Sequence, residues 1–215
     1  MMGVVIGFLL GLFAGLSAPL ALEYLKLRVA GPVIEMEFLW KRPYVIKTAK
    51  GLGAAKEFHP VYLFRLGISN RSEHLSARNC VVMLTGVWHR KGRQFKAAEN
   101  FEPVRLEWLS HMPVDISPGM RVIVPFGRVT QANGQGTSKA SLHSGDLNTP
   151  EFRFRAPHWP SWFDSRLAPG THRFRITAYF DNMPPVQELF ELVWLGKWTD
   201  DYHKMSRHAK IVKKD

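Results

Sequence analysis

The stretch Val61-Tyr62-Leu63-Phe64-Arg65-Leu66-Gly67-Ile68-Ser69-Asn70 alternates apolar side chains with small or polar ones. Successive side chains of a β-strand point to opposite faces, so the apolar residues at positions 62, 64, 66 and 68 share one face. Arg65, Gly67 and Ser69 fall on the other face. This pattern predicts a strand with one face in a core and indicates a mainly β protein.

Working outward from this stretch, the chain shows further strand patterns separated by turns. Residues 80–88 form a nearly continuous apolar run, which predicts a strand covered on both faces. Because no long helical pattern lies between the strands, the sequence predicts an antiparallel two-sheet sandwich of seven or eight strands rather than an α/β fold. The other predicted strands cover residues 33–38, 104–108, 120–126, 152–155, 171–180 and 186–195.

Three connections are predicted from composition. Residues 47–56 are rich in Gly, Ala and Lys and are interpreted as a loop, and Lys91-Gly92-Arg93 as the turn of a hairpin. Residues 128–150 are interpreted as a long polar loop, and loops of that length are often functional. Its Gly134-Gln135-Gly136-Thr137-Ser138-Lys139 lacks the spacing of a phosphate-binding loop, so nucleotide binding is not expected.

Residues 1–22 contain no charged side chain, and we interpret them as a transmembrane helix. At about 1.5 Å per residue, residues 4–22 cover the roughly 30 Å of a bilayer's hydrocarbon core. A signal peptide is the alternative, but a basic leading region is missing and Pro19 disturbs the best cleavage site near Ala21. All Lys and Arg residues follow the span, which predicts a single-pass protein of the plasma (inner) membrane with its C-terminal domain in the cytoplasm.

Glycine recurs at every fourth position of this predicted span, at Gly3, Gly7, Gly11 and Gly15. Residues at that spacing share one stripe of a helix, where two backbones can approach closely. The stripe resembles a glycine zipper and predicts a homo-oligomer formed through the membrane helix. The alternative is that glycine is simply frequent in membrane helices.

Three stretches give the predicted sandwich a family resemblance. Ile68-Ser69-Asn70 followed by Ala77-Arg78-Asn79-Cys80-Val81, together with Ile116-Ser117-Pro118-Gly119 and Leu167-Ala168-Pro169-Gly170, resembles the immunoglobulin-like domains of prokaryotic surface proteins, especially CARDB-like adhesion modules. Arg71-Ser72 departs from that pattern, which has a Gly there. The resemblance implies a binding or spacer module without catalysis. Such modules usually lie outside the cell, in conflict with the orientation that the charges predict.

The chain carries a formal net charge of +11, which favours anionic lipid or nucleic acid as a neighbour. Arg153 and Arg155, and likewise Arg173 and Arg175, alternate with apolar residues and are expected to project outward. They would form one patch for anions or lipid head groups if their strands were neighbours. Nucleic acid is the weaker interpretation, because no recognised nucleic-acid motif accompanies the charge.

Residues 199–215 are interpreted as a short basic amphipathic helix that starts near Asp200 and Asp201. The predicted organisation is therefore an anchor at residues 1–30, a sandwich at 31–198 and this tail. The tail docks on the sandwich, frays into solvent or touches an anionic leaflet. Its apolar positions are Tyr202, Met205, Ala209 and Val212, and its basic positions are Lys204, Arg207, Lys210, Lys213 and Lys214.

Signals for chemistry are mostly missing from the sequence. Cys80 stands alone in an apolar run and is expected to be a buried, inert thiol. The nine histidines form no metal motif, and His172 is interpreted as a structural residue of an apolar face. No Ser sits in a G-x-S-x-G elbow, so neither enzymatic activity nor a cofactor or metal is expected.

Trp159 and Trp162 belong to an aromatic segment that is either a satellite core or a contact for a partner.

These patterns lead to one functional hypothesis and two alternatives. The hypothesis is a non-catalytic, single-pass membrane-anchored β-sandwich that self-associates and presents loops to a protein partner at the membrane. The first alternative is an extracytoplasmic, adhesion-like envelope domain, which the family resemblance favours. The second is a membrane pore-forming effector built from the glycine stripe.

Overall fold

A computed structural model describes residues 31–52, 57–106, 112–131 and 150–214. The predicted membrane span and its glycines, Gly3, Gly7, Gly11 and Gly15, lie outside the described residues, as does most of the predicted loop at 128–150. In the described part of the chain, no helix is long and apolar enough to cross a membrane.

The described residues form two antiparallel sheets and one short helix, which confirms the predicted mainly β architecture. The elements are, in chain order, β1 (Ile34–Glu37), β2 (Val45–Leu52), β3 (Glu57–Asn70), β4 (Ala77–Lys91), β5 (Gln94–Ala97), β6 (Val104–Arg105), β7 (Val114–Ile116), β8 (Arg121–Thr130), β9 (Glu151–Phe154), β10 (Arg166–Leu167), β11 (Gly170–Tyr179), β12 (Val186–Trp194), α1 (Tyr202–His208) and β13 (Ala209–Lys214).

The first sheet has six strands in the order β1-β3-β8-β9-β10, and β2 also pairs with β3. The second sheet has seven strands in the order β13-β12-β11-β4-β5, and both β6 and β7 also pair with β4. The long strands β3 and β4 follow one another along the chain but belong to different sheets. The connection at residues 71–76 therefore crosses from one sheet to the other.

The core lies between the sheets and consists of the apolar faces that the alternation predicts. Phe64 on β3 and Phe174 on β11 are both completely buried. The ring of Phe174 lies 5.4 Å from the ring of Phe126, 5.4 Å from that of Phe154 and 5.5 Å from that of Phe190. Aromatic side chains of both sheets thus interlock at the centre of the sandwich, where they bury large apolar areas.

The described residues contain thirteen strands, so the predicted number of seven or eight is wrong. Most of the additional strands have two to four residues, too few to establish a period of two. The prediction of a loop at 47–56 is also wrong, because β2 occupies much of it and pairs along β3 from Val45 to Leu52. The Gly, Ala and Lys residues of β2 have low strand propensity, so the sequence does not predict this strand. It forms because the backbone of β3 provides hydrogen-bond partners for it. The loop predicted to begin at residue 128 starts later, because β8 continues to Thr130.

The tail begins as predicted but ends differently. The side chain of Asp201 accepts a hydrogen bond of 3.0 Å from the backbone N–H of Lys204 and caps α1. The helix stops at His208, and the following residues form β13 on the edge of β12. The prediction that the helical pattern continues to Val212 is wrong, because Ala209 and Ile211 alternate into the core and the edge of β12 supplies hydrogen bonds.

Candidate functional site

Three arginines stand side by side on the six-stranded sheet. Arg128 of β8 is directly opposite Arg153 of β9, and Arg153 is directly opposite Arg166 of β10. Neighbouring strands are about 4.8 Å apart, so the three side chains leave the sheet at close and regular intervals. The adjacent row of the same strands, Val129, Phe152 and Leu167, is buried in the core. The arginine row therefore lies on the outer face of the sheet.

Two further arginines lie beside this row on the same sheet, where Leu63 is the residue of β3 opposite Arg128. Arg65 projects from the outer face of β3 and is paired with Pro125 of β8, next to a register shift between Phe64 and Arg65. Arg155 follows β9, and its backbone N–H donates a hydrogen bond of 2.8 Å to the carbonyl oxygen of Phe126. We call this set the arginine face. Its members are Arg65, Arg128, Arg153, Arg155 and Arg166.

Two carboxylates orient one end of the arginine face. Arg153 donates to one oxygen of Glu151 from Nε at 2.8 Å and from Nη2 at 2.5 Å. Arg166 donates from Nε to Asp164 at 2.7 Å, and its Nη1 lies 3.6 Å from Glu151. Charge-assisted pairs of this kind restrict the guanidinium groups to one geometry.

The other end of the arginine face is more desolvated and more positive. Burial lowers the pKa of Arg128 from its usual value, and the positive charges of Arg153 and Arg155 lower it further. The Nε atom of Arg65 is buried and has no hydrogen-bond partner, and burial lowers the pKa of this group as well. Among the described side chains, no carboxylate lies within ion-pair distance of Arg65, Arg128 or Arg155.

The expectation that Arg153 and Arg155 share a patch with Arg173 and Arg175 is wrong. The first pair belongs to the six-stranded sheet, whereas β11 carries the second pair in the seven-stranded sheet. Arg173 forms an ion pair of 3.0 Å with Glu191 and lies 3.9 Å above the ring of Phe95. Arg175 lies 5.0 Å from the ring of Trp88. The strands are separate because the chain changes sheets between β10 and β11.

The basic residues of the tail lie on or beside the seven-stranded sheet. Lys204 and Arg207 are carried by α1, and Lys210 is exposed on β13. On the same strand Lys213 pairs with Glu188 at 2.7 Å, and Lys214 lies 3.6 Å from Glu191. These residues therefore form a site separate from the arginine face.

The two tryptophans singled out in the sequence have different environments. The Trp159 ring stacks on Phe163 at 5.3 Å and lies 6.4 Å from Phe154, and Phe163 in turn contacts Phe101. Trp159 thus belongs to a satellite of the core. Trp162 has 62% of its surface exposed, so it is accessible to a partner.

A histidine pair lies within the seven-stranded sheet. His172, interpreted from its position as structural, is only 5% exposed, and its Nε2 lies 2.8 Å from the carbonyl oxygen of Ala168. Its Nδ1 lies 2.8 Å from Nδ1 of His89, directly across the strands. Since a carbonyl only accepts, Nε2 of His172 carries its proton, and His89 donates to Nδ1 of a neutral His172. Burial lowers the pKa of both imidazoles.

We expect this histidine pair to make the protein less stable in mild acid. An unfolded histidine takes up a proton near pH 6.5, whereas the folded pair does so only at lower pH. The free energy of unfolding therefore falls as the pH drops below about 6.5, until the lowered folded-state pKa is reached. Urea titrations at pH 7.5 and 5.5 measure this loss.

The double variant with His89→Gln and His172→Gln should lose less free energy of unfolding between pH 7.5 and pH 5.5 than the parent does. The control is His74→Gln, because the His74 side chain is 88% exposed. An unchanged difference in the double variant would show that other groups cause the acid sensitivity.

Two predictions from the sequence concern the thiol of Cys80 and metal binding. Cys80 is completely buried, and burial raises the pKa of its thiol to about 12, which confirms the buried thiol predicted from the sequence. In the described ranges, no group of three or more His, Cys, Asp or Glu residues is placed to hold a metal ion.

Comparisons with protein-family models, with curated proteins and with solved structures find no match. The candidate site therefore depends on the geometry of this chain alone. Sequence reasoning missed Arg128 and Arg166 as partners of Arg153. Their signal was weak: Arg128 was assigned to a loop, and β10 has only two residues.

Proposed function

We propose that this chain is a non-catalytic, single-pass membrane-anchored module that self-associates through its membrane helix and presents loops to a protein partner. The observation that carries the proposal is the uncharged stretch at residues 1–22, which precedes the sandwich in the chain. The Lys and Arg residues that follow this stretch support a cytoplasmic sandwich on the inner membrane.

An immunoglobulin-like architecture is part of this proposal. In the immunoglobulin fold, the second strand pairs with the fifth in one sheet, and the third, sixth and seventh form the other sheet. Here β3 pairs with β8, while β4, β11 and β12 are neighbours in the second sheet. The chain order of these five strands matches that scheme. The strands β9, β10 and β13 are additions to it.

The apolar side chains near β1 support a position next to the bilayer for this end of the sandwich. The backbone N–H of Val33 donates to the Ser72 hydroxyl at 2.6 Å, and the N–H of Asn70 donates to the carbonyl of Met120 at 3.0 Å. Three large apolar side chains at this end are exposed: Val33 at 59%, Leu75 at 41% and Met120 at 42%. A membrane helix ending at residue 22 would join this end of the sandwich through residues 23–32 and could place these side chains near the lipid head groups.

The structure of the tail supports docking on the sandwich rather than a second contact with the membrane. Met205, Ala209 and Ile211 are buried in the core of the sandwich. The helix α1 follows the far end of β12, and nine strand residues span about 30 Å from the end near Val33. In this proposal, α1 belongs to the end that faces the partner.

The second candidate is an extracytoplasmic, adhesion-like envelope domain. The resemblance of its turns to CARDB-like modules favours it, as does the strand pairing described above. It shares the fold and the anchor of the first proposal but reverses the orientation in the membrane.

A topology assay separates the two candidates. Alkaline phosphatase, which is active only outside the cytoplasm, and green fluorescent protein, which is fluorescent inside it, are each fused to the C-terminus of the full chain. We expect fluorescence without phosphatase activity. Phosphatase activity of the fusion would overturn the cytoplasmic orientation and favour the envelope domain.

Self-association is expected to depend on the middle of the glycine stripe. Gly11→Leu places a bulky side chain where two helix backbones would touch, while the segment stays apolar and should still insert. We expect at least a tenfold loss of self-association in a two-hybrid assay of the span. The matched control is Val5→Leu, which lies on the opposite side of the helix. If Gly11→Leu associates like the parent, the stripe is ordinary membrane composition and the proposed assembly is wrong.

A further inference from the structure

We propose that the arginine face is a binding site for phosphate groups, with Arg128 at its centre. This inference does not rest on the proposed membrane anchor, because it concerns only residues within the six-stranded sheet. It goes beyond the anion contact expected from the sequence, since it names a different set of arginines and one ligand chemistry.

The first argument is the cost of the arrangement itself. Like charges directly opposite one another on adjacent strands destabilise a sheet. Arg128, Arg153 and Arg166 nevertheless occupy three consecutive positions of one row. Glu151 and Asp164 offset the repulsion only on the side of Arg153 and Arg166. An anion beside Arg128 would offset it on the other side.

The second argument is an excess of donors. Arg65 has a buried Nε without a hydrogen-bond partner, and an unsatisfied buried donor is costly. The charges of Arg153 and Arg155 both act on the half-buried Arg128. Because water screens poorly at desolvated positions, these guanidinium groups attract an anion more strongly than fully exposed ones do.

The third argument identifies the ligand as phosphate. A guanidinium group presents its N–H donors as a planar fork that matches carboxylate or phosphate oxygens. Carboxylates already occupy the forks of Arg153 and Arg166. A phosphate monoester offers three acceptor oxygens and a charge of about −1.5 to −2, so it can accept from several arginines at once. Arg128 and Arg155, which lie close enough for the charge of Arg155 to act on Arg128, have no carboxylate partner among the described side chains and suit such an acceptor.

The other sheet provides a contrast. Arg173 is paired with Glu191 and stacked on Phe95, and Arg175 is stacked on Trp88. These two outward arginines of that sheet therefore have partners within the protein. The arginine face, rather than the net positive charge as a whole, is the specific site.

Thermal unfolding of the full-length chain in neutral detergent micelles tests the proposal. We expect sodium phosphate to raise Tm above the value in sodium chloride of equal ionic strength, because a ligand of the folded state stabilises it. Arg128→Gln should weaken the apparent affinity for phosphate at least tenfold. The matched control Arg175→Gln, an outward arginine on the other sheet, should keep the affinity within twofold of the parent.

Two sources of the phosphate group are distinguished by the micelle composition. Phosphatidic acid carries a phosphate monoester, whereas phosphatidylglycerol carries a phosphodiester with a single charge. Stabilisation by phosphatidic acid beyond that by phosphatidylglycerol identifies a lipid head group, and stabilisation by inorganic phosphate alone identifies a soluble phosphate ester. Either result supports the site.

Equal Tm values in phosphate and chloride, together with no preference for phosphatidic acid, would overturn the proposal. An equal loss of affinity in Arg128→Gln and Arg175→Gln would also overturn it, because it would indicate diffuse charge. If Arg128→Gln fails to fold, Arg155→Gln replaces it, since Arg155 is exposed and its loss leaves no buried gap. The result is independent of the topology assay, so the two proposals can fail separately.

Discussion

Phe174→Ala is expected to lower the free energy of unfolding by about 4 kcal/mol. Phe174 is fully buried, and its ring contacts Phe126 and Phe154 of one sheet and Phe190 of the other. Removing the ring takes contacts from three strands at once. The cavity cannot close easily, because the surrounding rings are held by two hydrogen-bonded sheets.

Urea unfolding of the full-length chain in neutral detergent measures this loss. The matched variant Phe174→Leu fills most of the space and should recover more than half of the stability. A loss below about 1 kcal/mol for Phe174→Ala would contradict the interlocked aromatic core, because it would mean that the sheets collapse onto the empty volume.

Asn70→Ala is expected to cost about 3 kcal/mol, the second-largest effect. Asn70 ends β3 and is completely buried. Its side-chain amide donates to the carbonyls of Leu75 at 2.6 Å and Ile116 at 2.8 Å, and its Oδ1 accepts from the backbone N–H of Ser72 at 3.0 Å. Alanine would leave two carbonyls and one N–H without these partners, and such groups are costly when buried.

The matched variant Asn70→Asp separates the donors of this side chain from its acceptor. Aspartate keeps an oxygen for the N–H of Ser72 but has no N–H for the two carbonyls, so we expect it to be at least as unstable as Asn70→Ala at neutral pH. Unfolding in urea again gives the values. Parental stability of Asn70→Asp would show that the two amide donations contribute nothing.

Much of the fold could be predicted because the information is local. The alternation of residues 61–70 and 171–180 predicted strands, and both are found as β3 and β11, with the predicted apolar face of β3 in the core. The turn around Gly92 was predicted as well, and Gly92 has a positive φ of 64° there. Steric preference and side-chain periodicity act within a few residues, so the sequence displays them directly.

The candidate site could be predicted only in part. Arg153 and Arg155 were identified as outward-facing, but their expected partners Arg173 and Arg175 are on the other sheet. Which strands become neighbours depends on crossings between sheets, and these leave no periodic signal. The interpretation of the membrane span and its glycines stays a prediction, because it concerns residues 1–22.

By itself, the sequence determined that this chain is mainly β, which faces of its long strands are apolar, and that Cys80 and His172 are buried. The tertiary structure alone decided the arginine face, the histidine pair and the conversion of the tail into β13. The physical reason is that each of these features joins residues far apart in the chain. Their contacts depend on strand pairing and register, which are fixed only when the two apolar faces pack together.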